Sequence, residues 1–335
     1  MLEIRREQMN LMITGGAGFI GSRFAELLVS QEIPNQYSSI TVVDNLTYSG
    51  NLSNLDAVIS KPEFYFHKAD ICNKEDIEAI IEHRSINVIA NFAAESHVDR
   101  SIQSAFEFLN TNVMGTQNLL DLAKKHGITR FLQVSTDEVY GSIPTGSWEE
   151  DEPLKPNSPY SASKAGADLL VLAYGKTYGM NVGITRCCNN YGLRQYPEKI
   201  IPLFVSNLID GKRVPIYGDG NQIREWIHVD DHCRGVFAVL ENGNPGEVYN
   251  IAGTDEFQNI ELARKIIAYF GESEDNAFEF VADRKGHDIR YSLTGNKIHK
   301  ELGIKPKIEF ETGLKETIDW YVANESWWRP LKNKS

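Results

Sequence analysis

Short apolar runs recur along the first half of the chain, and stretches of helical period fill the gaps between them. Residues 10–14 (NLMIT), 40–43 (ITVV), 64–67, 87–91 (NVIAN), 131–134 (FLQV) and 181–186 read as strands, on their length and their β-branched or aromatic content. Residues 22–30, 74–84, 105–126 and 160–178 read as helices. In the third of these, Phe106, Leu109, Val113, Leu120 and Ala123 carry the apolar spacing, Asn112 interrupts it with a polar group, and Gly127 ends it. Strands that are apolar at nearly every position, alternating with helices, predict a parallel sheet covered on both faces. The second half continues with helices at 200–209, 260–270 and 312–324 and a strand at 214–217. No repeat, low-complexity tract or long linker divides the chain, so the two halves are expected to intertwine, with a nominal boundary near Arg186.

The first strand runs into Gly15, Gly18 and Gly21 just ahead of a helix. This order predicts a dinucleotide site, in which a tight turn leaves bare backbone for a pyrophosphate and the N–H groups of a helix N-terminus face that anion. The second strand ends at Asp44, about 20 residues further on, where a carboxylate can accept hydrogen bonds from an adenosine ribose. An acid there also repels a 2′-phosphate, which favours NAD over NADP. A glycine turn or a strand-end acid alone is commonly a simple turn or cap; the order of the two carries the inference. The fold class expected is α/β, a Rossmann-type doubly wound parallel sheet binding NAD in residues 10–186. A smaller C-terminal lobe in residues 187–330 binds substrate and crosses back to the sheet, and residues 1–9 form a disordered extension.

The strand at 131–134 delivers Ser135, Thr136, Asp137 and Glu138 to the carboxyl edge of that sheet, where open α/β sheets bind ligands. Some two dozen residues later Tyr160 and Lys164 stand at i, i+4 and point from one helix face, with Pro159 suited to the first turn. A lysine cation beside a phenol lowers its pKa, so Tyr160 can serve as a base near neutral pH while Lys164 holds a ribose. Two adjacent acids are ordinarily a solvated turn. At a strand end beside Thr136 they supply a base and an acid, provided that one is ionised and the other protonated.

These segments together resemble the extended short-chain dehydrogenase/reductase superfamily, and within it the sugar-nucleotide 4,6-dehydratases. The resemblance runs from about residue 10 to 330. It is most specific at 92–101 (FAAESHVDRS), 135–141 (STDEVYG), 160–164 (YSASK), 189–192 (NNYG), 197–202 (PEKIIP), 217–220 (YGDG) with Arg224, and 283–287 with Arg290. Epimerases of the superfamily resemble the chain up to the Ser/Thr but carry small or neutral residues where Asp137 and Glu138 stand. The resemblance implies that Tyr160 and Thr136 act at C4 of a nucleoside-diphosphate hexose, Glu138 removes the C5 proton and Asp137 protonates the departing C6 hydroxyl. It implies NAD contacts from Gly15, Gly18, Phe19, Ile20, Gly21, Asp44, Asn45, Leu46, Thr47, Asp70, Ile71, Phe92, Ala93, Ala94, Ser96, Thr111, Tyr160, Lys164 and Asn189. Substrate contacts are implied for Ser96, His97, Arg100, Thr136, Asn190, Glu198, Lys199, Pro215, Tyr217, Arg224, Asn259, Arg284, His287 and Arg290. It also implies a homodimer through the helices at 105–126 and 160–178.

Departures from the family pattern fall at Cys188 (usually Ser), Leu193 (usually Pro), His228 (often Tyr), Lys285 (usually Pro) and Ile289 (usually Arg). The last three lie where base and sugar specificity are set. They leave dTDP-glucose, expected first, in competition with UDP-glucose and UDP-N-acetylglucosamine.

Composition narrows the picture further. A net charge of −12 over 335 residues argues against nucleic acid or an anionic membrane as partner. No apolar stretch reaches the roughly 20 residues of a membrane helix. Cys72, Cys187, Cys188 and Cys233 are too scattered for a disulfide framework or a metal site, so reduced thiols in a cytoplasmic protein and no metal are expected.

Overall fold

The computed structural model describes residues 9–283 and 286–332. The strands are β1 (Met9–Thr14), β2 (Tyr37–Asp44), β3 (Phe64–Lys68), β4 (Val88–Asn91), β5 (Arg130–Thr136) and β6 (Val182–Cys187), followed by β7 (Asn189–Tyr191), β8 (Val214–Tyr217), β9 (Ile223–His228), β10 (Glu247–Ile251), β11 (Asp255–Gln258) and β12 (Phe278–Val281). Seven form one sheet in the order β10-β6-β5-β4-β1-β2-β3, and every adjacent pair is parallel. The fold is therefore an α/β doubly wound sheet, with its chain reversal between β1 and β4.

Period-two alternation separates the two faces of this sheet. Leu11 and Ile13 of β1 join a core with Phe24 and Leu27 of the helix Phe19–Val29 and with Val236 and Val239 of the helix Val229–Asn242. Met12, between them, packs on the opposite side with Ile77, Leu119, Leu120 and Val171 from helices Lys74–Arg84, Thr116–Lys125 and Pro159–Tyr178. The helix Val229–Asn242 and strand β10 come from the second half of the chain. The sequence predicts a crossing back to the sheet but locates neither element; in the helix the apolar positions are broken by buried His232 and Asp231.

The remaining strands form two small sheets, β11-β9-β7 and β12-β8. They pack with helices Ile200–Ile209, Asn259–Tyr269 and Phe310–Ala323 around a third core that includes Trp226, Phe310 and Trp328. Trp328 is fully buried and donates Nε1–H to the Tyr321 carbonyl at 2.8 Å, a packing role. Among the described residues no helix is long and apolar enough to cross a membrane.

One helix departs from its expected form. The stretch read as a uniform amphipathic helix at 105–126 is α-helical at Phe106–Phe108, widens to a π-helix over Leu109–Gly115, and returns to α-helix over Thr116–Lys125. The wider turn rotates its side chains, so that Leu120 is buried whereas Phe106 and Leu109, expected on the apolar face, are largely exposed. The expected disordered extension lies outside the described residues except for Met9, which opens β1.

Candidate active site

A cavity of about 460 Å³ opens along the carboxyl ends of β1, β2, β4, β5 and β6 and reaches under the small sheets. Its cofactor end is built on backbone. Gly15 has φ +67° and an added Cβ there would lie 2.6 Å from the Ala93 nitrogen; a Cβ on Gly21 would lie 2.5 Å from the Gly15 carbonyl oxygen. Only glycine fits either place. Gly18 caps the helix Phe19–Val29 without any side-chain hydrogen bond, which leaves the first N–H groups directed at the cavity. Such a surface suits an anionic pyrophosphate. The Asp44 carboxylate accepts from the Ala17 N–H at 2.9 Å and the Leu46 N–H at 2.7 Å, so it braces the loop it faces. Burial raises its pKa, and the two backbone N–H groups oppose that rise.

Buried amides tie the strand ends together. Thr14 donates to Asn91 Oδ1 at 2.5 Å, and Asn91 Nδ2 donates to Gln133 Oε1 at 2.7 Å, spanning β1, β4 and β5. Asn112, on the π-helical turn, is fully committed. Its Oδ1 accepts from the Glu95 N–H at 2.9 Å, and its Nδ2 donates to the Glu95 carbonyl at 3.0 Å and to Ser163 Oγ at 2.8 Å. The same turn brings Thr111 to the cavity wall.

At the centre stand Thr136, Asp137, Glu138, Tyr160 and Lys164, all on the cavity wall. Thr136 ends β5, and its Oγ1 accepts from the Glu138 N–H at 3.3 Å and donates to Asp137 Oδ1 at 3.1 Å. The helix Pro159–Tyr178 begins at a capping box: Ser158 Oγ accepts from the Ser161 N–H, and Ser161 Oγ accepts from the Ser158 N–H, each at 3.0 Å. That start fixes the register that turns both Tyr160 and Lys164 inward, where both are buried.

The electrostatics separate these groups. Burial and the neighbouring Glu138 raise the Asp137 carboxyl to about 7. Tyr160 is pushed well above its ordinary value by burial and by Glu138, which corrects the expectation of a phenol lowered by Lys164. Lys164 donates instead to the Val134 carbonyl at 2.7 Å, and burial depresses its own pKa against the pull of Asp168.

Of the residues expected at the cofactor, all but Leu46 line the cavity. Of those expected at the substrate, Ser96, His97, Thr136, Asn190, Glu198, Lys199, Arg224, Asn259 and His287 line it. Four others do not. Arg290 spends its fork on Glu256, at 2.8 and 2.7 Å, and Arg100 lies 4.2 Å over the Tyr48 ring. Pro215 and Tyr217 sit on β8, paired with Glu279 and Val281 of β12. Arg284 and Lys285 lie outside the described residues.

Comparisons with known proteins match nearly the whole chain. Residues 12–317 match the model of the GDP-mannose 4,6 dehydratase family. A dTDP-glucose 4,6-dehydratase of Actinoplanes sp. is 54% identical over 96% of this chain and all of its own. The chain belongs to the GDP-mannose 4,6-dehydratase family. Among solved structures, a dTDP-glucose 4,6-dehydratase of Streptomyces venezuelae with NAD bound superposes with a TM-score of 0.94 at 52% identity, over 96% of this chain and 100% of that one. That of Bacillus anthracis, in complex with NAD, gives 0.89 at 49% identity, over 96% and 99%.

Several cavity residues of this 4,6-dehydratase family member carry no signal in the sequence pattern. Cys187 and Cys188 read as inert thiols, yet both face the cavity, and burial and Asp137 push Cys187 up to about 12. Tyr196, Asp288 and Tyr291 also line it from irregular segments. Glu225, in β9 between the lining residues Arg224 and Trp226, is a buried acid raised to about 8 by burial, with Asp137 adding to the rise. Tyr196, Asp288 and Tyr291 lie outside helices and strands and have no periodicity to reveal their direction.

Proposed function

We infer that the chain is an NAD-dependent 4,6-dehydratase acting on dTDP-glucose and releasing water to give the 4-keto-6-deoxy sugar nucleotide. One observation carries this over epimerisation. A carboxyl raised to about 7 stands next to a second carboxyl, in the cavity that also holds Tyr160. Oxidation and reduction at C4 need Tyr160 alone, whereas loss of water across C5 and C6 needs a base and a proton donor as well.

Tyr160 accepts the proton of the C4 hydroxyl, with the Thr136 hydroxyl on the same oxygen. NAD⁺, when bound, would supply the positive charge that favours the Tyr160 phenolate against its burial, and a hydride acceptor for C4 that would later serve C6. The 4-ketone acidifies C5–H, and Glu138 takes that proton; once C6 has received the hydride, C5 is reprotonated, which completes the 4-keto-6-deoxy sugar. Asp137, with a pKa of about 7, is in substantial part protonated at neutral pH and donates to the C6 hydroxyl, which leaves as water. Gly15, Gly21 and the uncapped helix start at Gly18 support a pyrophosphate of NAD, and Asp44 supports its ribose. Arg224, Asn190, Asn259, His287, Glu198 and Lys199 are proposed to hold the sugar nucleotide. Arg224 lies with its guanidinium 4.6 Å over Tyr291, which orients it at the cavity wall.

The test is incubation with dTDP-glucose deuterated at C4, alongside UDP-glucose and UDP-N-acetylglucosamine. Deuterium at C6 of a 4-keto-6-deoxy product from dTDP-glucose is expected. Epimerisation at C4 with no loss of water would refute the assignment, and turnover of a UDP-sugar alone would move the substrate.

We also propose a homodimer through the stretch Phe106–Lys125 and the helix Pro159–Tyr178. Phe106, Leu109, Met114 and Leu169 are 70%, 50%, 54% and 58% exposed there, a concentration of apolar surface that favours association.

A further inference from the structure

The loop between β7 and the helix Ile200–Ile209 carries Tyr196, Glu198 and Lys199 into the cavity. Within it Arg194 has φ +64°, in the left-handed region that non-glycine residues rarely occupy. Such a conformation persists only where the surroundings impose it. Here the side chain is what is held. Arg194 Nη1 donates to the Asn54 carbonyl at 2.9 Å, and Nη2 pairs with Glu26 on the helix Phe19–Val29.

Both partners belong to the cofactor end. Asn54 is buried, and its Nδ2 donates to the Ala17 carbonyl at 2.9 Å, inside the glycine loop. Ala17 in turn donates its N–H to Asp44. Glu26 also pairs with Arg23 at 3.2 Å, on the helix whose N-terminus faces the cavity. A chain of short contacts therefore runs from the dinucleotide loop through Asn54 and Arg194 to the residues on the substrate wall. The same loop is fastened on its other side, where Gln195 Nε2 donates to the Asn190 carbonyl at 2.8 Å and Tyr321 OH to the Gln195 carbonyl.

We propose that Arg194 is a positioning residue that fastens the substrate loop to the cofactor loop, so that NAD and the sugar nucleotide bind with coupled affinity. The proposal rests on the functional reading above. A ligand at either end orders the shared anchor, and the second ligand then finds it already ordered. Arg194 touches no reacting atom; it acts through Asn54 and Glu26 on one side and its own loop on the other.

The test follows exchange of bound NAD for isotopically labelled NAD in the holoenzyme, with and without saturating dTDP. In the wild type dTDP is expected to slow exchange about 5-fold or more, the lower end of ordinary coupling. In Arg194→Ala the slowing should fall below about 2-fold, and Arg194→Lys should restore part of it. Glu26→Gln loosens the anchor from the other end, at a partly exposed side chain, and should give an intermediate value, which keeps the test decisive if Arg194→Ala does not fold. A purely structural role would lower the melting temperature and leave the dTDP effect intact. Full slowing in both Arg194→Ala and Glu26→Gln, or none in the wild type with dTDP bound, overturns the proposal alone. Failure of dTDP to bind the wild type by calorimetry overturns the functional reading with it.

Discussion

Asp137 and Glu138 are chemically near-identical neighbours that the fold treats differently. Asp137 is 2% exposed and has one oxygen, Oδ2, with no hydrogen-bond partner among the described residues, so its charged form is poorly solvated and its pKa rises. Glu138 is half-buried on the cavity wall. A proton donor works while it is protonated, so turnover should decline as pH rises through about 7, the value to which Asp137 is raised. In Asp137→Asn this alkaline limb should disappear and kcat should fall on the order of 10²–10⁴-fold, measured as a pH–rate profile. In Glu138→Gln oxidation at C4 should remain visible as reduced-nicotinamide absorbance while elimination collapses; unchanged turnover would remove Glu138 from its role.

At the scale of elements, the π-helical turn Leu109–Gly115 does what a regular helix would not. It sets Thr111 on the cavity wall and Asn112 against both backbone groups of Glu95 while reaching Ser163 on the helix that carries Tyr160. In the sequence Asn112 is only a polar residue on an apolar helix. In the fold it clamps the segment after β4 to the helix Pro159–Tyr178. Replacing it by Leu leaves the Glu95 N–H and carbonyl without their partner, whereas the Ser163 hydroxyl still donates to the Tyr160 carbonyl at 2.7 Å. The expected cost is about 1–3 kcal/mol for each buried group left unsatisfied, less whatever water recovers. Urea unfolding of Asn112→Leu should therefore show a clearly lowered midpoint at unchanged slope, and KM for NAD should rise as the cavity wall loosens.

Across the whole molecule, the two halves share one sheet and one cavity. Strand β10 returns from the second half to pair with β6, and the helix Val229–Asn242 packs with the helix Phe19–Val29, where Asp230 receives Arg23 at 2.7 Å. The apolar surface left over concentrates on the stretch Phe106–Lys125 and the helix Pro159–Tyr178, the latter bearing Tyr160 and Lys164 at its start. Leu169→Glu with Met114→Glu should shift the mass measured by light scattering from dimer to monomer. A wild type that is monomeric at micromolar concentration would end the dimer reading. Because the helix Pro159–Tyr178 also carries Tyr160, the proposed base, the monomer should lose activity as well as mass.

The sequence by itself determined the sheet, the glycine loop and the placing of Thr136, Asp137, Glu138, Tyr160 and Lys164 at one end of the sheet. Each is a local pattern: glycines where a Cβ would strike backbone at 2.6 or 2.5 Å, apolar strands of fixed period, a capped helix start that sets Tyr160 and Lys164 on one face. Only the tertiary structure decided the rest. The burial that raises Asp137 and Tyr160 comes from several segments at once, and none of them is legible from its own residues. Arg290 and Arg100 match a binding pattern in the chain but are spent on Glu256 and Tyr48, because a guanidinium goes to the partner that folding brings nearest. Arg194, an unremarked loop residue in the sequence, becomes a link between cofactor and substrate loops once Asn54 and Glu26 arrive beside it. Period and spacing specify elements, whereas charge, desolvation and long-range pairing are properties of the assembled space.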